Sequence, residues 1–241
     1  MMRLGNMAPR AARWLLPLPM MALLLIAACG EAGKSLPPKN NLIDTTLSDV
    51  GPSASAVNDL SSSLDNPERE NWQKPQVVIS LLGDLSDKTV ADIGAGTGYF
   101  SFRLAQKAER VIAIDIDSLL LDYIDHRVSE GRQSEESHLE TRLTTPDDPG
   151  LKPQEADIIL LVNTYHLLSD RPAYFQKVKA CLKPGGKVVV IDFKRGRMPV
   201  GPPQEDRISP TQAAIELAAA GLITQGIDST SLDYQYILTA K

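Results

Sequence analysis

Residues 90–100 read VADIGAGTGYF, and the reading of this stretch decides the fold. An apolar run closes at Asp92 and Ile93, glycines follow at positions 94, 96 and 98, and an apolar helical face starts at Phe100. A strand, a glycine-rich bend and a helix in that order make the first unit of an open α/β sheet. In such sheets ligands lie beyond the carboxyl ends of the strands, and glycines let the backbone approach them.

Downstream the chain alternates strand and helix signals. Phe100, Leu104 and Ala108 lie on one helical face. RVIAID at 110–115 reads as a second buried strand, and Ser118 can cap a helix carrying Leu119, Leu120, Tyr123 and Ile124. Residues 139–143 give a weaker third strand. The segment TTPDDPGLKPQEA holds three prolines and no helical face, so the connection after that strand is expected to be a loop. DIILLV at 157–162 is the fourth strand, and Phe175, Val178 and Leu182 stripe a helix that should stop at Pro184, Gly185 and Gly186. KVVVID at 187–192 is the fifth strand. Ser209, Pro210 and Gln212 start a capped helix ended by Gly221, and 222–227 and 232–239 read as two closing strands, expected to be antiparallel. This order dictates a doubly wound, mostly parallel seven-stranded sheet with a C-terminal antiparallel strand, covered by helices on both faces. Upstream, VVISLL suits a short helix leading into the domain.

Glycine spacing separates two cofactor classes. A dinucleotide fingerprint places its third small residue at position 99, where helix and strand pack closely, but this chain has Tyr99 there. A cofactor without a pyrophosphate is favoured. The bend resembles motif I of the class I S-adenosylmethionine-dependent methyltransferases, and the resemblance extends over roughly residues 66–241. VIAIDID resembles the second motif of that family, DIILLVNTYH the motif ending the fourth strand, and CLKPGGKVVVIDF the fifth-strand motif.

The resemblance implies a Rossmann-like fold with S-adenosyl-L-methionine as cofactor. Gly94, Ala95, Gly96 and Gly98 would approach it, Asp92 would meet its methionine part, Asp115 would hold the ribose hydroxyls, and Ile116 would flank the adenine. Asp147 and Asp148 are weaker candidates for the adenine amine, because the shortened connection disturbs their alignment. Asn163 and His166, after the fourth strand, face the cofactor and acceptor as catalytic candidates: an amide can hydrogen-bond an acceptor, and imidazole is the side chain suited to taking up a proton near neutrality. For His166 a packing role stands equally beside the basic one, and Tyr165 reads as packing. Trp72 and Lys74 either line the acceptor side or lid the cofactor, or cover the sheet edge. Cys181 reads as an inert small hydrophobe.

The N-terminus carries a different message. Arg3, Arg10 and Arg13 precede an apolar run from Trp14 to Ala28, followed by Cys29. That is the order of an export signal, and Ile26-Ala27-Ala28-Cys29 resembles a bacterial lipobox, which implies removal of residues 1–28 and lipidation of Cys29. The other reading, an uncleaved membrane helix ending at a chance cysteine, has against it a short apolar run broken by Pro17 and Pro19. Residues 29–65, rich in Ser, Pro, Asn, Asp and Gly, read as a stalk, and 66–241 as the catalytic domain. The expected place is the cell envelope, membrane-anchored. Export and this cofactor pull in opposite directions, because S-adenosylmethionine is expected inside the cell.

The formal net charge of −5 becomes more acidic once the three arginines leave. Such a surface repels polyanions, so a small-molecule or lipid-proximal acceptor is expected and nucleic acid is not. No His, Cys, Asp and Glu cluster has metal-ligand spacing, and no Ser, His, Asp order supports hydrolysis. Two other readings remain at this level: a ligand-binding module of the same fold without turnover, and an NAD-dependent oxidoreductase.

Overall fold

The computed structural model describes residues 68–130 and 138–241; the expected leader, Cys29 and the stalk lie outside the described residues. Two short helices open this part, α1 (Arg69–Gln73) and α2 (Pro75–Leu82). Then follow β1 (Thr89–Ile93), α3 (Ser101–Ala105), β2 (Arg110–Asp115), α4 (Ser118–Glu130) and β3 (Leu139–Leu143). The second half contains β4 (Ala156–Val162), α5 (Arg171–Cys181), β5 (Leu182–Phe193), α6 (Pro210–Ala219), β6 (Thr224–Asp228) and β7 (Gln235–Ala240).

The seven strands pair in the order β3-β2-β1-β4-β5-β7-β6. β1 to β5 are mutually parallel, and β7 runs antiparallel between β5 and β6. The expected doubly wound sheet is therefore present. Its central strands are mostly apolar because both faces are covered, with Asp92 and Asp192 as buried acidic exceptions near the strand ends. Val90, Val111, Leu160 and Ile191 pack on one side with α2 and α3, while Ile112, Ile159, Val190 and Leu238 pack on the other with α5 and α6. Among the described residues no helix is long and apolar enough to cross a membrane.

Two expectations need correction, and one helix was not foreseen. The helix α5 ends at Cys181, and Leu182 pairs with Ala156 at the start of β5 instead of completing the helical stripe. The register then shifts before Lys187 meets Ile158, and a Cβ on Gly186 would lie 2.9 Å from the Lys183 carbonyl and 3.0 Å from that of Asp157. Strand pairing at so close an approach wins over helical periodicity. On α4 the buried residues are Leu121 and Ile124, with Val128 against them, while Leu119 is 42% exposed. The i, i+3, i+7 stripe faces the sheet. Finally, α1 had no counterpart in the sequence reading. The loop from Thr144 to Glu155, the capped start of α6 (Ser209 accepting from the Gln212 amide at 3.2 Å) and the pairing of the last two strands are as expected.

Candidate active site

The bend after β1 is held from both sides. The amides of Gly94 and Ala95 both donate to the Ile114 carbonyl (2.8 and 3.1 Å), which carries the β1–β2 ladder past the strand end. Gly94 has φ +75°, and a Cβ there would sit 2.2 Å from Thr164 Oγ1, so both torsion and space require glycine. Gly96, at φ +58°, donates its amide to Asp115 Oδ2 (2.8 Å). Gly98 has a packing reason of its own, since a Cβ would meet the Phe102 ring at 2.8 Å.

Asp92 and Ala113 are register partners on adjacent strands, so Asp92 and Asp115 point to the same face of the sheet. Asp92 is only 2% exposed and accepts the Ser101 hydroxyl (2.7 Å). Burial pushes its carboxyl up to about 6; Asp115 adds to the rise, while the Ser101 hydroxyl and the Arg69 charge oppose it. Asp115 Oδ1 accepts the amides of Ile116 (2.7 Å) and Asp117 (3.1 Å). With one amide on Oδ2, that oxygen keeps an acceptor position for a ligand hydroxyl. The Ile116 side chain stands 58% exposed beside it.

The unforeseen helix α1 lies against this bend. The Tyr99 ring has the guanidinium groups of Arg69 and Arg103 each 4.0 Å from its centroid, and Arg103 pairs with Glu70 (2.6 Å). Arg69 also donates to Gln73. Trp72 packs on Phe193 (5.9 Å) and Tyr234 (6.4 Å), and Lys74 donates to Asp233 (2.7 Å). Trp72 thus joins an aromatic wall at the end of β5, whereas Lys74 ties the α1–α2 joint, where its φ is +46°, to the segment before β7.

At the end of β4 the chain turns sharply, with Asn163 at φ +59° and its amide on the Ile191 carbonyl (2.9 Å). Asn163 Oδ1 accepts from Gln235, so that oxygen is committed within the protein. His166 turns its Nδ1 to Asp192, 3.0 Å from both carboxylate oxygens, and its backbone amide donates to Asp192 Oδ2 (3.0 Å). Tyr165 is buried, as expected of a packing residue, and donates to Glu216 Oε2 (2.6 Å). Arg171 pairs with the same carboxylate (2.6 Å). Cys181 is buried on the inner side of α5, and burial raises its thiol, which suits an inert role. Asp147 and Asp148 serve their own turn: Asp147 accepts from Thr145 (2.8 Å) and Asp148 from the Gly150 amide (2.8 Å).

Asp192, Gln235, Gln73 and Arg207 escaped the sequence reading. Arg207 closes the long β5–α6 loop by donating to the carbonyls of Pro202 (2.7 Å) and Gly196 (2.8 Å), and Gly201 of this loop rests on the Phe193 ring. Two buried amide atoms, Gln73 Nε2 and Gln235 Oε1, have no hydrogen-bond partner among the described residues. Buried polar groups are normally satisfied; Gln73 follows Trp72 in α1, and Gln235 is the strand partner of Phe193. Together with the open acceptor position on Asp115, they fit a polar, hydroxyl-bearing ligand such as S-adenosylmethionine. Asp192 carried the same signal as Asp115, an acid ending a buried strand.

Comparison with known proteins agrees with this geometry. A solved structure of an S-adenosylmethionine-dependent methyltransferase from Aquifex aeolicus superposes with a TM-score of 0.69 at 24% identity, covering 77% of this chain and 96% of that one. The fold is that of the class I methyltransferases. Residues 91–188 match the family described as a methyltransferase domain, a span running from the first methyltransferase motif into the fifth strand. Demethylmenaquinone methyltransferase of Tropheryma whipplei (strain Twist) is 29% identical over 132 residues, 55% of this chain and 52% of that protein. Phosphoethanolamine N-methyltransferase of Triticum aestivum is 28% identical over 130 residues, 53% of this chain and 24% of that protein. The chain spans about half the length, or less, of these curated relatives.

Proposed function

We propose that this protein is an S-adenosylmethionine-dependent methyltransferase acting on a small-molecule or lipid-proximal acceptor. The observation that carries the reading is the joined pair of first bend and second-strand acid: Gly96 bonded to Asp115, with the buried Asp92 on the same face. Asp92 would hold the cationic methionine end, Gly94 to Gly96 the backbone approach, Asp115 the ribose and Ile116 the adenine. When bound, the cofactor supplies a methyl group already activated on a sulfonium. The protein's own task is alignment and exclusion of water, which can supply about 7–11 kcal/mol in favourable cases. Trp72 and Phe193 would exclude water on the acceptor side, and Asn163 and His166 would meet the acceptor. The named relatives act on demethylmenaquinone and on phosphoethanolamine, so the shared domain leaves the acceptor open.

Calorimetry of the full chain with S-adenosylmethionine, S-adenosylhomocysteine and NAD tests the reading. Binding of the first two is expected; binding of NAD alone would reverse it, and adenosyl binding without turnover on any acceptor would leave a binding module. We also infer that Cys29 anchors the protein to the cell envelope through lipid, on the strength of the basic, apolar, small-residue leader and its cysteine. Labelled palmitate should enter the wild-type chain in a bacterial host and not the Cys29→Ser variant. Equal labelling of both would remove the anchor.

A further inference from the structure

We propose that Asp192 is a positioning residue that fixes His166 as a proton acceptor, so that the methyl acceptor reacts through an oxygen or nitrogen carrying a hydrogen. The inference rests on the methyltransferase reading above and narrows its substrate class. Asp192, the last residue but one of β5, is fully buried, and its carboxylate accepts the His166 amide, the Phe193 amide (2.7 Å) and the imidazole Nδ1. An ionised carboxylate can only accept, so Nδ1 carries the hydrogen and Nε2 presents its lone pair. Nε2 has no hydrogen-bond partner among the described residues, yet it is not one of the sealed polar atoms, so it opens outward.

The ring is held on its other side by Phe193, edge-on at 6.4 Å, and Phe193 is held by Trp72. The His166 side chain is 8% exposed, so one edge alone is offered to a ligand. That edge lies after β4, beside Asn163, where the methyl acceptor is expected. The same arrangement serves proton removal: the imidazolium formed at Nε2 is stabilised by the carboxylate at Nδ1. The balance is simple. A lone pair on the acceptor oxygen or nitrogen forms the bond to the methyl carbon, the carbon–sulfur pair returns to sulfur, and the acceptor's proton passes to Nε2 and then to water.

The test uses the full chain with three probes, catechol and benzylamine, which carry a transferable proton, and nicotinamide, whose ring nitrogen carries none. Nitrogen NMR of the ligand-free protein should show the Nδ1–H tautomer of His166, and Asp192→Asn should shift it toward Nε2–H. Methyl transfer to catechol or benzylamine should fall about 100-fold in kcat in His166→Ala, within the range for lost acid–base catalysis, with S-adenosylhomocysteine affinity unchanged and partial rescue by added imidazole. Asp192→Asn alone should lower kcat by less than His166→Ala does and cost nothing further in the His166→Ala background, which a residue that merely supports the fold would not satisfy. An Nε2–H tautomer in the wild type overturns the proposal, as does full additivity of the two substitutions. Turnover of nicotinamide alone, or of none of the three probes with S-adenosylhomocysteine binding intact, also overturns it. Failure to bind S-adenosylhomocysteine in the wild type instead strikes the methyltransferase reading, and the tautomer measurement separates the two.

Discussion

Gly94→Ala is the perturbation whose consequence can be worked most fully. The substitution places a methyl group at φ +75°, a left-handed conformation costing an L-residue about 1–2 kcal/mol. It also drives that carbon to 2.2 Å from Thr164 Oγ1, 2.6 Å from Cγ2 and 2.9 Å from Cβ. Thr164 cannot swing aside freely, since it is β-branched and its hydroxyl donates to the Val162 carbonyl (3.1 Å). Overpacking of this kind adds about 1–3 kcal/mol, for a sum of roughly 2–5 kcal/mol out of the roughly 5–15 kcal/mol that holds a typical domain folded. Urea unfolding should show that loss, and adenosyl-ligand affinity should fall because the Gly94 and Ala95 amides leave the Ile114 carbonyl. The double variant Gly94→Ala with Thr164→Gly removes the collision and leaves the torsional cost, so a coupling of about 1–3 kcal/mol is expected between the two sites. A Gly94→Ala protein within about 0.5 kcal/mol of the wild type, a change typical of neutral surface sites, would refute the reasoning. So would a double variant no more stable than the single one.

The raised Asp92 carboxyl makes a pH prediction. Its folded value of about 6 lies above the ordinary 3.8, so its contribution favours the native state fully below about 4 and is lost as pH rises through 6, by roughly 3 kcal/mol. Asp92→Asn should flatten this slope in urea unfolding measured from pH 4 to 8. Because a cationic ligand end prefers the ionised carboxylate, S-adenosylhomocysteine should bind more tightly at pH 7 than at pH 5 and release protons, read by calorimetry in buffers of different ionisation enthalpy. Glu216→Ala should cost about 3–5 kcal/mol, because it leaves Arg171 and the Tyr165 hydroxyl without their shared carboxylate. Tyr165→Phe should cost only about 1 kcal/mol by thermal or urea unfolding. Lys74→Gly relieves a left-handed φ but removes the ion pair to Asp233, so stability should stay within about 1 kcal/mol while proteolysis at the α1–α2 joint accelerates.

The central strands were legible as short, largely apolar runs buried on both faces, and the bend was legible because its glycines, a weak signal alone, stand between a strand and a helix with the further motifs downstream. Helix α1 was not, since RENWQ carries no periodic stripe. Its order comes from distant partners, Tyr99 for Arg69 and Phe193 for Trp72. The end of α5 misled for a related reason: Leu182 continues the helical stripe in sequence, but its pairing with Ala156 is a tertiary fact. Within the candidate site, Asp92 and Asp115 announced themselves at the ends of apolar strands, and Asn163 and His166 by following one. What the sequence could not pair was His166 with Asp192, or Asn163 with Gln235, contacts made across 26 and 72 positions.

The insertion of β7 between β5 and β6 has a consequence for the growing polypeptide. β6 leaves the ribosome with no neighbour to zip onto, and the exposed flank of β5 waits beside it until residues 235–240 arrive. Gln235, the first residue of that late strand, is also the one that clasps Asn163. Closure of the sheet and completion of the candidate site then fall together late in synthesis, and a nascent chain short of that point is open and sticky at two edges.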